Sequence, residues 1–218
     1  MEVTIKLPSD QNEITLAQYQ KWVAGVSEDT PDDLYFRMRT VSIFTGYKLG
    51  HVAQLKKHDV DDMYNHIINV LNTKQEPVFR FTIQGQEFGF IPNLDEISMG
   101  EYASVDEPMK DWQTMHVAMA VLFRPITRTV KDNYEIAPFT GSKDNEELMK
   151  FMPLSVVMGV NAFFLSLLQE LAHYTQKSIL REMVEEIALE WKHNLTRSGV
   201  GTRQSTHSLV ETLRDLVR

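Results

Sequence analysis

One segment narrows the choice of fold more than any other. Val78-Phe79-Arg80-Phe81-Thr82-Ile83 alternates apolar and polar side chains, the two-residue period of a strand with one buried face. Gln84-Gly85-Gln86 supplies a turn, and Glu87-Phe88-Gly89-Phe90-Ile91 a second strand. The pair reads as a β-hairpin. A lone hairpin is marginal in water, so Phe79, Phe81, Phe88 and Phe90 require packing partners from the rest of the chain. That remainder reads mostly with helical period. The expected class is mainly α (α+β): a helical domain with a small β-hairpin insertion and long apolar C-terminal helices.

The helices can be placed by their caps and apolar spacing. Thr15 caps a short helix whose Leu16, Tyr19 and Val23 share a face. Pro31-Asp32-Asp33 opens a helix to about Phe44, and Gly46 stops it. A short helix covers Val52–Leu55. Asp59 or Asp61 opens another to Leu71, with Met63, Ile67, Val70 and Leu71 inward. After Pro92, Ser98 caps a piece through Tyr102. Asp111 or Trp112 starts a helix through Phe123 that Arg124-Pro125 ends. Residues 126–139 form an extended arm, read as a second hairpin turning at Lys131-Asp132-Asn133. Asp144 caps a helix to Phe151, and Pro153 begins a long apolar helix to about Thr175. An amphipathic helix, Ser178 to Leu195, follows. Ser198-Gly199-Val200-Gly201-Thr202 is a hinge, and Ser205 to Val217 a last helix. This organisation predicts an N-terminal helical unit over 1–75, a β-hairpin plus helical core over 76–197, and a hinge with a separable amphipathic helix over 198–218. One echo stands out. Glu13-Ile14-Thr15-Leu16-Ala17-Gln18-Tyr19 resembles Glu96-Ile97-Ser98-Met99-Gly100-Glu101-Tyr102, through either a duplicated unit or a shared capping pattern.

Composition excludes several classes of function. Thirty acids against 22 bases give a net charge of -8, which repels a phosphate backbone. Residues 192–218 run the other way, with Lys192, Arg197, Arg203, Arg214 and Arg218 against Glu211 and Asp215. Glu211 and Asp215 lie with Arg214 on the last helix, which favours a protein contact over nucleic acid. No cysteine is present, so thiolate metal sites and cysteine nucleophiles are excluded. Met1-Glu2-Val3-Thr4-Ile5-Lys6 lacks the apolar core of a signal peptide. The apolar run Leu154–Leu168 is short for a bilayer and is broken by Ser155, Asn161 and Ser166, so a buried helix and no membrane partner are expected.

Chemistry-bearing constellations are few. His58, Asp62 and His66 are spaced at four residues, so on one helix they share a face that suits a metal. Met63, Ile67, Val70 and Leu71 define the inner face, however, which leaves the histidines on the solvated side. No nucleophile elbow, zinc-protease pair, P-loop or dinucleotide glycine motif occurs. No enzyme activity, metal or cofactor is therefore expected. Arg124, at the end of an apolar helix, reads as a helix cap or one half of a buried ion pair. Eleven methionines suggest adaptable apolar surface. Met149, Met152 and Met158, with Leu209, Leu213 and Leu216 on the last helix, are the candidate partner-binding residues; core packing is the competing reading for the methionines.

Val41-Ser42-Ile43-Phe44-Thr45-Gly46-Tyr47, then Val52-Ala53-Gln54-Leu55, Asp59, Met63 and Ile67, resembles tail assembly chaperones of tailed bacteriophages. The opening Ile14-Thr15-Leu16-Ala17-Gln18-Tyr19 is similar to theirs, as are Phe79-Arg80-Phe81, Gly85-Gln86-Glu87-Phe88, Leu94 and Ile97-Ser98-Met99-Gly100-Glu101-Tyr102. Ala120-Val121-Leu122-Phe123-Arg124-Pro125-Ile126-Thr127 looks like a stretch of phage structural-region proteins. The resemblance covers about residues 13–126. It implies a non-enzymatic morphogenesis protein of the host cytoplasm that shields hydrophobic segments of a tail (tape-measure) protein, with phage tail or other virion proteins as partners. The length, the hairpin and the apolar C-terminal helices depart from that pattern. They suit the alternative of a structural virion protein of tail, neck or capsid, in which the chain forms a homo-oligomer.

Overall fold

The computed structural model describes residues 5–26, 33–131, 133–141, 143, 145–166, 169 and 173. The expected hairpin is present as β1 (Arg80–Ile83) and β2 (Gln86–Phe90), with Phe81 opposite Phe88 and Ile83 opposite Gln86. Its two-residue turn places both Gln84 (φ 51°) and Gly85 (φ 82°) in the left-handed region, the backbone that matches the twist of paired strands. The hairpin is not an insertion, because β2 also pairs with β3 (Phe123–Val130), Phe90 lying opposite Phe123 and Gly89 opposite Arg124. β3 in turn pairs with β4 (Asn133–Ile136). The result is a four-stranded antiparallel sheet in the order β1-β2-β3-β4.

Before the sheet come α1 (Leu16–Val23), α2 (Leu34–Thr45), α3 (Leu49–Val52) and α4 (Lys57–Leu71). Between β2 and β3 lie α5 (Met99–Asp106) and α6 (Met115–Leu122). After β4 comes α7 (Glu146–Met149), and the chain is helical again over 154–166. The fold is thus mixed α+β. Gly46 ends α2 at φ 75°, a left-handed position that suits glycine. The expected helices of 178–195 and 205–217, with the hinge between them, lie outside the described residues.

Two expected boundaries move. The helix predicted through Phe123 ends one residue earlier, and the chain passes from α6 into β3 with no connecting loop. Pro125 restricts Arg124 to extended backbone. The Phe123 ring is held at 5.0 Å from Phe81 and 5.3 Å from Phe90, so tertiary packing takes the residue from the helix into the sheet. The boundary predicted at 75/76 also disappears, because residues 1–162 form one compact unit and 163–218 a second.

The first unit is closed by its ends. Thr15 bridges Pro153 in antiparallel fashion. The Leu16 amide donates to the Met152 carbonyl, Ala17 to Lys150, and Leu154 to Ile14. Gln11, 1% exposed, donates from Nε2 to the carbonyls of Val70, Leu71 and Thr73 and so caps the C-terminus of α4. Ile14, Val41, Phe44, Ile67 and Leu154 share the adjoining core, which draws on both sides of residue 75.

The sheet is bent back on itself. A register shift between Ile126 and Arg128 interrupts the β3–β4 ladder, a device that bends and twists strands. Tyr134 of β4 lies against Gly89 of β2, so closely that a Cβ at Gly89 would fall 2.3 Å from Cε2 of its ring. The Tyr134 hydroxyl donates to the Phe90 carbonyl at 2.7 Å, and the Arg80 guanidinium sits 4.3 Å over the ring.

A second close approach involves backbone alone. A Cβ on Gly159 would stand 2.6 Å from the Glu76 carbonyl oxygen and 3.1 Å from Pro77 Cα. Gly159→Ala should destabilise the protein by about 1–3 kcal/mol through overpacking, despite alanine's better helix propensity. Gly50→Ala in α3, where nothing lies within 4 Å, should be neutral or stabilising. Urea unfolding of the two variants checks the contrast.

Candidate functional site

The site begins with a cap. Ser98 and Glu101 form a reciprocal capping box at the start of α5: the Ser98 amide donates to Glu101 Oε2 at 2.8 Å, and the Glu101 amide to Ser98 Oγ at 3.2 Å. The other carboxylate oxygen, Oε1, lies 2.8 Å from Arg124 Nη2, with only 10% and 11% of the two side chains exposed. Arg124 is therefore one half of a buried ion pair, the second of its two expected roles. Burial pushes the Glu101 carboxyl up, but the Ser98 hydrogen bonds and the Arg124 charge outweigh it and hold the group below its ordinary range. The same carboxylate caps α5 and ties it to the first residues of β3.

With Glu101 and Val105 turned inward, the other side of α5 is left to solvent. Met99 is 80% exposed and Tyr102 56%. Gly100 and Ala103 beside them are exposed too. Glu96, Asp106 and Glu107 stand exposed at the two ends, and Lys110 pairs with the latter two. Phe139 approaches Gly100, 4.0 Å from the place a Cβ would take.

The echo in the sequence is a matter of capping. Thr15 and Gln18 form the same box at α1, and both helices are eight residues long. The corresponding faces are treated differently. Leu16, in the position of Met99, is 0% exposed. Tyr19, in the position of Tyr102, is half-buried, its ring 4.7 Å from Trp112 and 5.6 Å from Trp22. The first two amides of α1 donate to the carbonyls of Met152 and Lys150. The first two of α5, Met99 and Gly100, meet no acceptor among the described residues. The turn over 150–154 covers the start of α1, and no described segment does the same for α5.

The residues singled out from sequence lie elsewhere. Met149 and Met152 are 0% exposed; they are core side chains with no surface to offer a partner, because the 150–154 stretch is stitched to α1. Met158 is half-buried against the helical core. Leu209, Leu213 and Leu216 lie outside the described residues. Sequence reasoning missed Met99 and Tyr102 as surface residues. The available signal was the echo itself, which marks two equivalent helix starts without saying which is covered.

The alternative metal face does not assemble. His66 Nε2 is 2.9 Å from the Pro8 carbonyl, and His58 turns to Asp59 at 2.9 Å. Neighbouring Asp61 is engaged by Lys57 and Arg37, whose hydrogen bonds and charge lower its carboxyl. No group of three potential ligands converges among the described residues. Among them, too, no helix is long and apolar enough to cross a membrane. No family model, curated protein or solved structure matches the chain.

Arg124→Met leaves the Glu101 charge buried without its partner and should cost about 3 kcal/mol. Arg124→Met with Glu101→Gln should recover most of that loss in urea unfolding. The Glu101 carboxyl is lowered in the fold, so its contribution is complete above the ordinary carboxylate range and is lost as pH falls through the folded value. The stability gap between wild type and Glu101→Gln should therefore close in acid, below about pH 4.

Proposed function

We propose that the protein is a non-enzymatic morphogenesis protein of tailed phage, of the tail assembly chaperone type, that shields an apolar segment of a tail protein in the host cytoplasm. The exposed α5 face carries this reading. Met99 and Tyr102 stand in water on a helix whose other side is fixed by a buried ion pair. A large apolar side chain held in solvent is informative when its structural equivalent elsewhere is covered. At α1 that cover is a turn of the same chain, Lys150 to Leu154, which offers the carbonyls of Lys150 and Met152 and one bridge at Pro153. The α5 face is suited to a similar segment from a partner: apolar, with free carbonyls for the amides of Met99 and Gly100.

Two further points support the reading. The resemblance to tail assembly chaperones spans residues 13–126 and so includes all of α5. The net charge of -8 favours solubility for a complex carrying an otherwise insoluble apolar partner.

The test is a pull-down from phage-infected cells with the full chain as bait, with purified virions analysed alongside. The tape-measure protein should be recovered by the wild type and lost, by about tenfold or more, with Met99→Glu/Tyr102→Glu. The chain should be absent from virions. Stoichiometric presence in virions would replace the chaperone reading with that of a structural subunit.

A further inference from the structure

The junction of α1 and α6 contains a titratable contact that the proposed function does not use. Gln20 of α1 is 7% exposed. Its side-chain Nε2 points at three acceptors: the Trp112 carbonyl at 2.7 Å, the Gln113 carbonyl at 3.2 Å and His116 Nδ1 at 3.0 Å. The two carbonyls fix the orientation of the amide, because turning it over would set Oε1 against both of them. The atom facing His116 is therefore a donor. His116 can complete the contact only with a bare Nδ1, which is the neutral ring carrying its proton on Nε2. A proton added at Nδ1 would face N–H groups from the amide, with the Gln113 carbonyl beside them as an acceptor. The Gln113 side chain donates back to the Gln20 carbonyl at 2.9 Å, and Tyr19 meets Trp112 edge-on beside it.

We propose that His116 is a proton-operated latch. Neutral, it holds the second half of α1 against the start of α6; protonated at Nδ1 from solvent, it releases that half. The first turn of α1 stays attached, since Leu16 and Ala17 are bound to Met152 and Lys150 through backbone. Release is then a loosening on the Gln20 side of the helix that parts Tyr19 from Trp112, while Trp22 stays tied to Thr40 of α2 at 3.0 Å.

The surrounding charges are divided. Burial opposes the charged ring most, and the Lys150 ammonium on the α7 side adds to it. Glu147, Glu146 and the Gln113 carbonyl favour the proton, and the ring is lowered overall. Lys150 itself pairs with Glu147 at 2.7 Å. Of the other charges on the packed elements, Lys21 of α1, Asp111 before α6, and Asp106, Glu107 and Lys110 at the end of α5 are exposed to solvent, and Glu101 is paired with Arg124. Because the folded value is below the ordinary one, the contact is intact at neutral pH. It is lost as pH falls through the ordinary histidine range and the folded value beneath it.

Two measurements on the full chain test this. Long-range proton–nitrogen NMR of the imidazoles at neutral pH should show His116 as the Nε2–H tautomer. Hydrogen exchange, corrected for intrinsic rates, should show the amides of Tyr19 to Val23 losing protection by about tenfold between about pH 7.5 and 5. In His116→Asn, whose side-chain oxygen accepts from Gln20 but does not titrate, that loss should vanish. A protonated Nδ1 at neutral pH in the wild type would overturn the proposal. So would the same pH-dependent loss of protection in wild type and His116→Asn. The NMR readout needs no variant, so it decides even if His116→Asn fails to fold.

Discussion

The antiparallel join of residues 14–17 to 150–154 is the contact on which the first unit depends. Three backbone hydrogen bonds hold it, and Ser155 reaches Asn12 across 143 residues of sequence. Closing a loop of that length costs about 4 kcal/mol in chain entropy alone, while three backbone bonds return about 1 kcal/mol each. The join therefore relies on burial. Ile14, Leu16, Met152 and Leu154 are at most 1% exposed, and each adds about 2 kcal/mol when taken out of water. Everything between the two strands of the join, α2 to α7 and the whole sheet, is enclosed by that closure. It also explains why a boundary at residue 75 has no physical basis: Gln11 and Leu154 bring the two ends of the unit onto α4 and its core.

Much of the local structure was legible in the residues. The β1–β2 hairpin followed from alternation and from Gly85, and the hydroxyl caps Thr15 and Ser98 from their place before the apolar-spaced runs. Gly46 marked the end of α2. The rest was hidden for identifiable reasons. Met115 to Phe123 is apolar almost throughout, and Arg124-Pro125 marks the end of the helix one residue late, because the switch is set by the remote rings of Phe81 and Phe90. The expansion from a hairpin to four strands depends on the same contact. The burial of Met149 and Met152 is set by remote segments, α6 packing on α7 and the start of α1 on Met152.

α1 and α5 make the point most directly. Thr15 with Gln18 and Ser98 with Glu101 specify the same start to a helix of the same length, each with an apolar first residue, Leu16 or Met99, and a tyrosine three places on. Local chemistry fixes the helix in both cases. What differs is supplied by remote segments: the 150–154 stretch and Trp112 for α1, and Arg124 for α5. Arg124 was recognisable from sequence as a cap or an ion-pair partner, but its mate was not. A sequence reading that stops at the element therefore cannot separate a covered face from an open one, and the candidate site was missed for that reason.

The direct passage from α6 into β3 has a further consequence. Each residue of a helix turns the chain by about 100°, whereas each residue of a strand inverts the side on which the next side chain lies. With no loop between Leu122 and Phe123 to absorb an error, the phase of the helix dictates the phase of the strand. A single insertion or deletion within Met119–Phe123 would reverse the faces of β3, turning the side chains now paired with Phe81 and Phe90 toward the opposite layer. The junction behaves like a reading frame within the tertiary structure. It is indifferent to many exchanges of one apolar residue for another and intolerant of any change in count.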